Sequence, residues 1–148
     1  MRIDFKPGNM LYPVPVVMVS CADSEGRSDI VTVAWTGTIC TNPPMVYISL
    51  RPSRYSYDII KKSGEFVINL TNEKLAKIAD ECGVKSGRDI DKWKVLKIEQ
   101  LPSKVVAASS IKESPVCIEC KVEDIIELGS HHMFIAKVVA VNVDAKYM

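Results

Sequence analysis

The run Val16-Val-Met-Val-Ser-Cys-Ala22, the segment Asp23-Ser-Glu-Gly-Arg27 and the run Asp29-Ile-Val-Thr-Val-Ala-Trp35 decide the fold. Both runs are apolar and rich in β-branched residues, which favour extended backbone. The segment between them has turn composition, and Gly26 is free to take a positive φ. Two strands joined by so short a link can pair only antiparallel. Upstream, Pro7, Pro13 and Pro15 make residues 1–15 an extended lead-in. Downstream, Gly37, Asn42 and Pro43-Pro44 deny a regular ladder to the whole of Thr36–Pro44. Met45–Leu50 resumes as a short apolar strand.

Ser53–Lys62 has helical spacing and Gly64 is placed to end it. Phe66–Leu70 reads as a strand. In Thr71–Cys82, Leu75, Ile78, Ala79 and Cys82 recur at i, i+3, i+4 and i+7, which predicts a helix. Thr71 or Asn72 supplies its N-cap and Gly83 its C-terminal stop. Residues 84–94 are polar and read as a loop or short helix. In Val116–Leu128, Ile118, Cys120 and Val122 alternate with Glu119, Lys121 and Glu123, the period of a strand. After a turn at Gly129-Ser130, His132–Asp144 is apolar at nearly every position, which predicts a strand covered on both faces. Strands dominate, and the helices interrupt them rather than alternate with them. The fold class is therefore all-β or α+β, a barrel with helical insertions, not a doubly wound sheet. Closing the barrel removes the exposed edges that such apolar strands would present.

The 148 residues suit a single domain spanning 1–148. With 47% hydrophobic and 25% charged residues the chain has globular composition. A formal charge of +1 argues against non-specific nucleic-acid binding. No apolar run reaches the roughly 18 residues of a membrane span, and the N-terminus has no signal-peptide stretch. Neither a nucleic-acid nor a membrane partner is expected, and the expected location is cytoplasmic. The five cysteines, Cys21, Cys40, Cys82, Cys117 and Cys120, are odd in number and irregularly spaced, as free thiols are.

Rossmann, P-loop, H-E-x-x-H and G-x-S-x-G motifs are all absent. Cys117-Ile-Glu-Cys120 matches C-x-x-C but falls within a strand pattern. Residues three apart in a strand face opposite sides about 10 Å apart, so the pair reads as two small hydrophobes. His131 and His132 also point to opposite faces, and at most one of them enters a given pocket. With no further histidine or compact carboxylate cluster, no metal site is expected.

Arg51-Pro-Ser-Arg54-Tyr-Ser56 lies where a strand gives way to a helix. Unpaired N–H groups at a helix N-terminus, two guanidinium groups and two hydroxyls suit a phosphate. An N-cap serine flanked by two solvated arginines fits the same residues. Ala34-Trp35-Thr36-Gly37-Thr38 leaves a strand with small residues that let a flat ligand approach the backbone, beside a tryptophan able to wall it off. A core tryptophan at a strand end is the plainer reading.

Taken together, Asp29–Arg51, Ser53–Ile60, Gly64–Asn69, Cys82–Trp93 and Gly129–Phe134 resemble, in that order, the flavin reductase-like FMN-binding split-barrel family. Within it the chain is most similar to the flavoredoxin branch, over about residues 10–145. The resemblance implies a six-stranded antiparallel split barrel working as a homodimer, with FMN near the subunit interface. It implies that Ala34, Trp35, Thr36 and Gly37 hold the isoalloxazine. Ser49, Arg51, Arg54 and Ser56, helped by Lys92, would hold the ribityl phosphate. His131 would lie at the flavin edge as the catalytic residue, orienting NAD(P)H, while His132 has no assigned role. The implied activity passes hydride from NAD(P)H to flavin and electrons on to a small-molecule or protein acceptor. The alternative is a flavoredoxin-type electron-transfer protein with little reductase activity. Family members commonly have Thr where Ser56 stands, and they usually continue past Met148, so the chain is expected to lack the family's C-terminal segment.

Overall fold

Val17–Ala22 (β1) and Ser28–Val33 (β2) pair antiparallel, Val17 opposite Val33 and Ala22 opposite Ser28. The computed structural model describes residues 1–148. Gly26 takes φ 85° in the turn between the two strands. The Asp23 carboxylate closes that turn, accepting from Glu25 N, Arg27 N and Arg27 Nε at 3.0, 3.0 and 2.7 Å.

Next come Thr36–Cys40 (β3), Met45–Leu50 (β4), helix α1 at Tyr55–Ser63 and Glu65–Leu70 (β5). A 3₁₀ turn at Glu73–Leu75 leads into α2, Ala76–Val84, and then α3, Lys92–Val95. Two short strands, Gln100–Leu101 (β6) and Ser110–Ile111 (β7), form a separate ladder. The long pair Val116–Glu127 (β8) and His132–Val143 (β9) completes the main sheet. Its order is β2-β1-β5-β8-β9-β4-β3, with every pairing antiparallel. The sheet has seven strands where six were expected. The additional strand is β3, because the interruption is confined to the turn at Thr41–Pro44 and to a register shift between Thr38 and Cys40. Ser49 N donates to Trp35 O at 2.9 Å. That bond extends the β3–β4 ladder back to the β2–β3 junction, so the two edge strands, joined through Ala34 and Trp35, close the sheet into a split barrel.

The barrel interior holds Val17, Val19, Cys21, Val31, Ile48, Phe66, Phe134 and their neighbours, with Tyr57, Ile59 and Ile60 of α1 plugging one end. Gly64 at φ 68° ends α1, as its position in the sequence predicts. Met18 and Ile30 face outward and are covered by Leu75, Ala79 and Cys82 together with Trp93 and Ile98. So β1 is covered on both faces, as is β5, whose Phe66 and Ile68 enter the same core while Val67 packs in a separate cluster. β9 is not, contrary to its composition: its second half emerges from the core, and Val141 is 56% exposed. Gly83 does not stop α2, which runs to Val84. A Cβ there would lie 3.2 Å from Thr32 Cβ, so its absence lets α2 close on β2. Asn72 provides the predicted cap, accepting from Leu75 N at 3.1 Å. No helix is long and apolar enough to cross a membrane.

Candidate functional site

Three chain segments meet at one end of the barrel: the β2–β3 junction, the end of β4 with the start of α1, and the β8–β9 turn. Between them lies a cleft of about 470 Å³, within the range of small-molecule sites. Ala34, Trp35, Ser49, Arg51, Arg54 and His131, all in the set that the resemblance assigns to the flavin site, line it together with Ser53 of the Arg51–Ser56 segment, and so do Thr32, Val33 and Leu50, which were not singled out. The alternation of β9 sends the two histidines opposite ways. His131 stacks on Trp35 with ring centroids 4.4 Å apart, and its Nδ1 lies 2.9 Å from Ser130 Oγ. Burial, and then the nearby Arg51 guanidinium, hold His131 below its ordinary pKa of 6.5. His132 turns toward the barrel, with its Nδ1 2.7 Å from Tyr57 Oη.

Beyond Ser53 and Arg54 the cleft continues into a side pocket of about 220 Å³ at the N-terminus of α1. Lys85, Ser86, Gly87 and Arg88 form its outer wall, and Asp29 and Lys92 its floor. Arg54 Nη2 donates to Gly83 O at 2.8 Å, which anchors its guanidinium between the two cavities. Arg88 Nη1 donates to Ser53 O at 3.0 Å, and its guanidinium lies 5.7 Å from the Tyr55 ring centroid. A helix N-terminus ringed by Arg54, Lys85 and Arg88 has the charge and donors that suit an anion, with the Asp29 carboxylate in the floor opposing it.

Four sequence-predicted residues are placed otherwise. Ser56 is wholly buried and donates to Asp29 Oδ2 at 2.5 Å. Lys92 is 3% exposed and donates to Ile30 O at 2.5 Å and Cys82 O at 3.0 Å, with Asp29 Oδ1 3.2 Å away. Ser56 is therefore engaged inside the protein and lines neither cavity, whereas Lys92 lies off the main cleft but still borders the side pocket. Thr36 Oγ1 donates to Tyr47 O at 2.7 Å, and Thr36 lines a different cavity of about 630 Å³, between the Gly8–Pro15 arm and Trp35. Gly37 lies under the Tyr47 ring, where a Cβ would come within 3.0 Å of Cε1. Asp29 and Gly87 are functional candidates that the sequence reading missed. Asp29 looks like an ordinary strand-opening residue, and Gly87 is one small residue in a polar stretch.

Cys117 and Cys120 pack into different apolar clusters on opposite sides of β8, so they do not form a joint site. Burial pushes the Cys120 thiol up to about 12 and raises Cys117 as well, which leaves both unreactive thiols. All five cysteines are unpaired.

Residues 9–147 match the family described as flavin reductase like domain. An uncharacterised protein of Pyrococcus abyssi is 31% identical over 131 residues, covering 88% of this chain and 74% of its own length. A flavin reductase of Pseudomonas putida is 26% identical over 136 residues, covering 91% of this chain and 76% of its own. Among solved structures, the flavoredoxin of Desulfovibrio vulgaris superimposes with a TM-score of 0.91 and 32% identity, over 99% of this chain and 78% of that one.

Proposed function

Because the chain belongs to the flavin reductase-like domain family, we propose that it is an FMN-binding oxidoreductase, reduced by NAD(P)H. One observation carries this reading: the cleft walled by Trp35 and His131 runs into a cationic pocket at the start of α1. The two ends match the two ends of FMN, a flat apolar ring system and a phosphate. The donors fit the group, since Arg54 and Arg88 line the pocket and no side chain caps the N-terminus of α1 beside it. When bound, the flavin supplies the redox chemistry, accepting hydride from the nicotinamide and releasing electrons to a small-molecule or protein acceptor. The protein supplies placement. Trp35 and the Ala34 backbone would border the ring, and Ser49, Arg51 and Arg54 would hold the phosphate chain. Neutral His131 orients the nicotinamide without adding a second positive charge beside Arg51.

The working unit is one domain that pairs into a homodimer in the cytosol. The unpaired cysteines suit a reducing compartment. Ile3, Phe5, Met10, Leu11 and Tyr12 on the N-terminal arm, and Val141 on β9, are exposed apolar residues that a second copy would cover.

A second reading is a flavoredoxin-type electron carrier with negligible reductase turnover, favoured by the 32% identity to the Desulfovibrio flavoredoxin. Purified protein should be yellow or become so with FMN, and should oxidise NADH or NADPH with added FMN. FMN binding without turnover selects the electron carrier. No preference for FMN over riboflavin removes the phosphate assignment.

A further inference from the structure

Two of the five residues that the resemblance assigns to the phosphate, Ser56 and Lys92, contact a single carboxylate. Asp29, near the start of β2, is 3% exposed. Its Oδ2 accepts from Ser56 at 2.5 Å. Its Oδ1 forms an ion pair with Lys92 Nζ at 3.2 Å but accepts no hydrogen bond, while that ammonium donates to Ile30 O and Cys82 O. Gly87 leaves room for the carboxylate, since a Cβ there would lie 2.6 Å from Oδ1. An under-bonded anionic oxygen is thus built into the floor of the pocket whose walls carry Arg54, Lys85 and Arg88.

That arrangement opposes a phosphate in two ways. A second anion entering the pocket is repelled by Asp29 at short range and in low dielectric. It also cannot recruit Ser56 without breaking the bond that hydroxyl makes to Asp29, nor Lys92 without weakening its 3.2 Å ion pair with the same carboxylate. Asp29 borders the side pocket and not the main cleft, so its effect falls on the phosphate end of a bound flavin and spares the ring.

We infer that Asp29 sets flavin affinity by competing with the phosphate for Ser56 and Lys92, so that FMN exchanges with solution rather than remaining as a fixed group. The inference rests on the FMN reading above. Asp29→Asn tests it, since the amide keeps the shape while removing the charge that holds Ser56 and pairs with Lys92. FMN and riboflavin affinities are measured by flavin fluorescence quenching at low ionic strength, with a thermal melt of each protein. The expected result is FMN binding about tenfold tighter or more in Asp29→Asn, with riboflavin changed by no more than about twofold. Ser56→Ala, made in the wild type, should leave the FMN-to-riboflavin ratio nearly unchanged, because its hydroxyl is committed to Asp29. The same change in the Asp29→Asn background should cost several-fold in FMN affinity. A well-folded Asp29→Asn with unchanged or weaker FMN binding overturns the inference. If Asp29→Asn does not fold, Ser56→Ala decides: selective loss of FMN affinity in the wild type puts that hydroxyl on the phosphate and overturns it equally. A wild type that binds riboflavin as tightly as FMN refutes the phosphate reading itself, and this inference with it. A wild type that prefers FMN, with no gain in Asp29→Asn, refutes this inference alone.

Discussion

Trp35 and His131 stack across the mouth of the cleft, their ring planes tilted by 40°. Trp35 is 40% exposed, so the stack forms a wall of the cleft rather than part of the core. His131 reaches it because β9 begins one residue later, which leaves the His131 side chain facing out and His132 facing in. With its pKa held down by burial and by Arg51, His131 is mainly neutral at physiological pH. A neutral ring keeps one donor and one acceptor available to a substrate.

His131→Ala should lower kcat/KM for NAD(P)H roughly 5- to 150-fold while leaving FMN affinity nearly intact, the effect of one lost orienting hydrogen bond. His132→Ala should act on stability instead. It removes the 2.7 Å contact to Tyr57 Oη and the edge packing on that ring, at a cost of about 1 kcal/mol. Steady-state kinetics and thermal melts of both variants separate the two. A larger kinetic loss from His132→Ala than from His131→Ala would sink the assignment.

Arg54→Ala should weaken FMN roughly 10- to 100-fold with little change for riboflavin, since it removes a charge-assisted donor at the phosphate end. Part of the loss is geometric. The guanidinium also bonds Gly83 O at 2.8 Å and so holds the end of α2 beside the pocket. Arg54→Lys keeps the charge but not the fork, and should recover only part of the affinity. Equal loss of FMN and riboflavin would move Arg54 to the ring end or to a purely structural role.

The sequence shows what period and turn chemistry can show. Gly26 and Gly64 punctuate where they were expected to, the β9 alternation separates His131 from His132, and the β8 alternation disarms Cys117 and Cys120. The strand β3 was obscured because Gly37 and Pro43-Pro44 weigh against a ladder, although only the second falls in the turn. Val141 and its neighbours look buried by composition, yet burial depends on what lies over a strand, which period cannot report. Ser56 and Lys92 show the deeper limit. Their residue types suit a phosphate, but Asp29, 27 residues before Ser56, takes the hydroxyl. Competition for a donor is decided only by tertiary placement.

Replacing Cys117 and Cys120 together with Val and Ala should leave flavin content and any reductase rate within a few-fold. The two sulfurs lie in separate clusters, and burial keeps both thiols protonated. The change should register as a modest loss of stability from altered packing. A flavin-loaded double variant with intact fold and abolished turnover would restore a redox role for the pair.

Glu119 should be the acid-sensitive fastening of the 102–109 loop. Its carboxylate, buried on β8, accepts from the backbone N–H of Lys104, Val105 and Val106 at 2.8, 2.7 and 3.1 Å. Burial by itself raises its pKa, but the three N–H donors outweigh burial and hold the group below the ordinary glutamate value of 4.5. A group depressed in the folded state stabilises fully above its unfolded pKa, and that contribution is lost as pH falls through the folded one. Glu119→Gln should therefore cost about 2 kcal/mol near neutrality, because the amide is uncharged and turns an N–H₂ toward N–H donors. In acid the wild type loses the same stabilisation, so the gap between the two proteins should close as the wild-type carboxyl is protonated. Urea midpoints across the acid range measure the gap, and amide exchange at Lys104–Val106 reports whether the loop has come loose. A constant gap down to the acid limit would mean that packing, not the carboxylate charge, holds the loop.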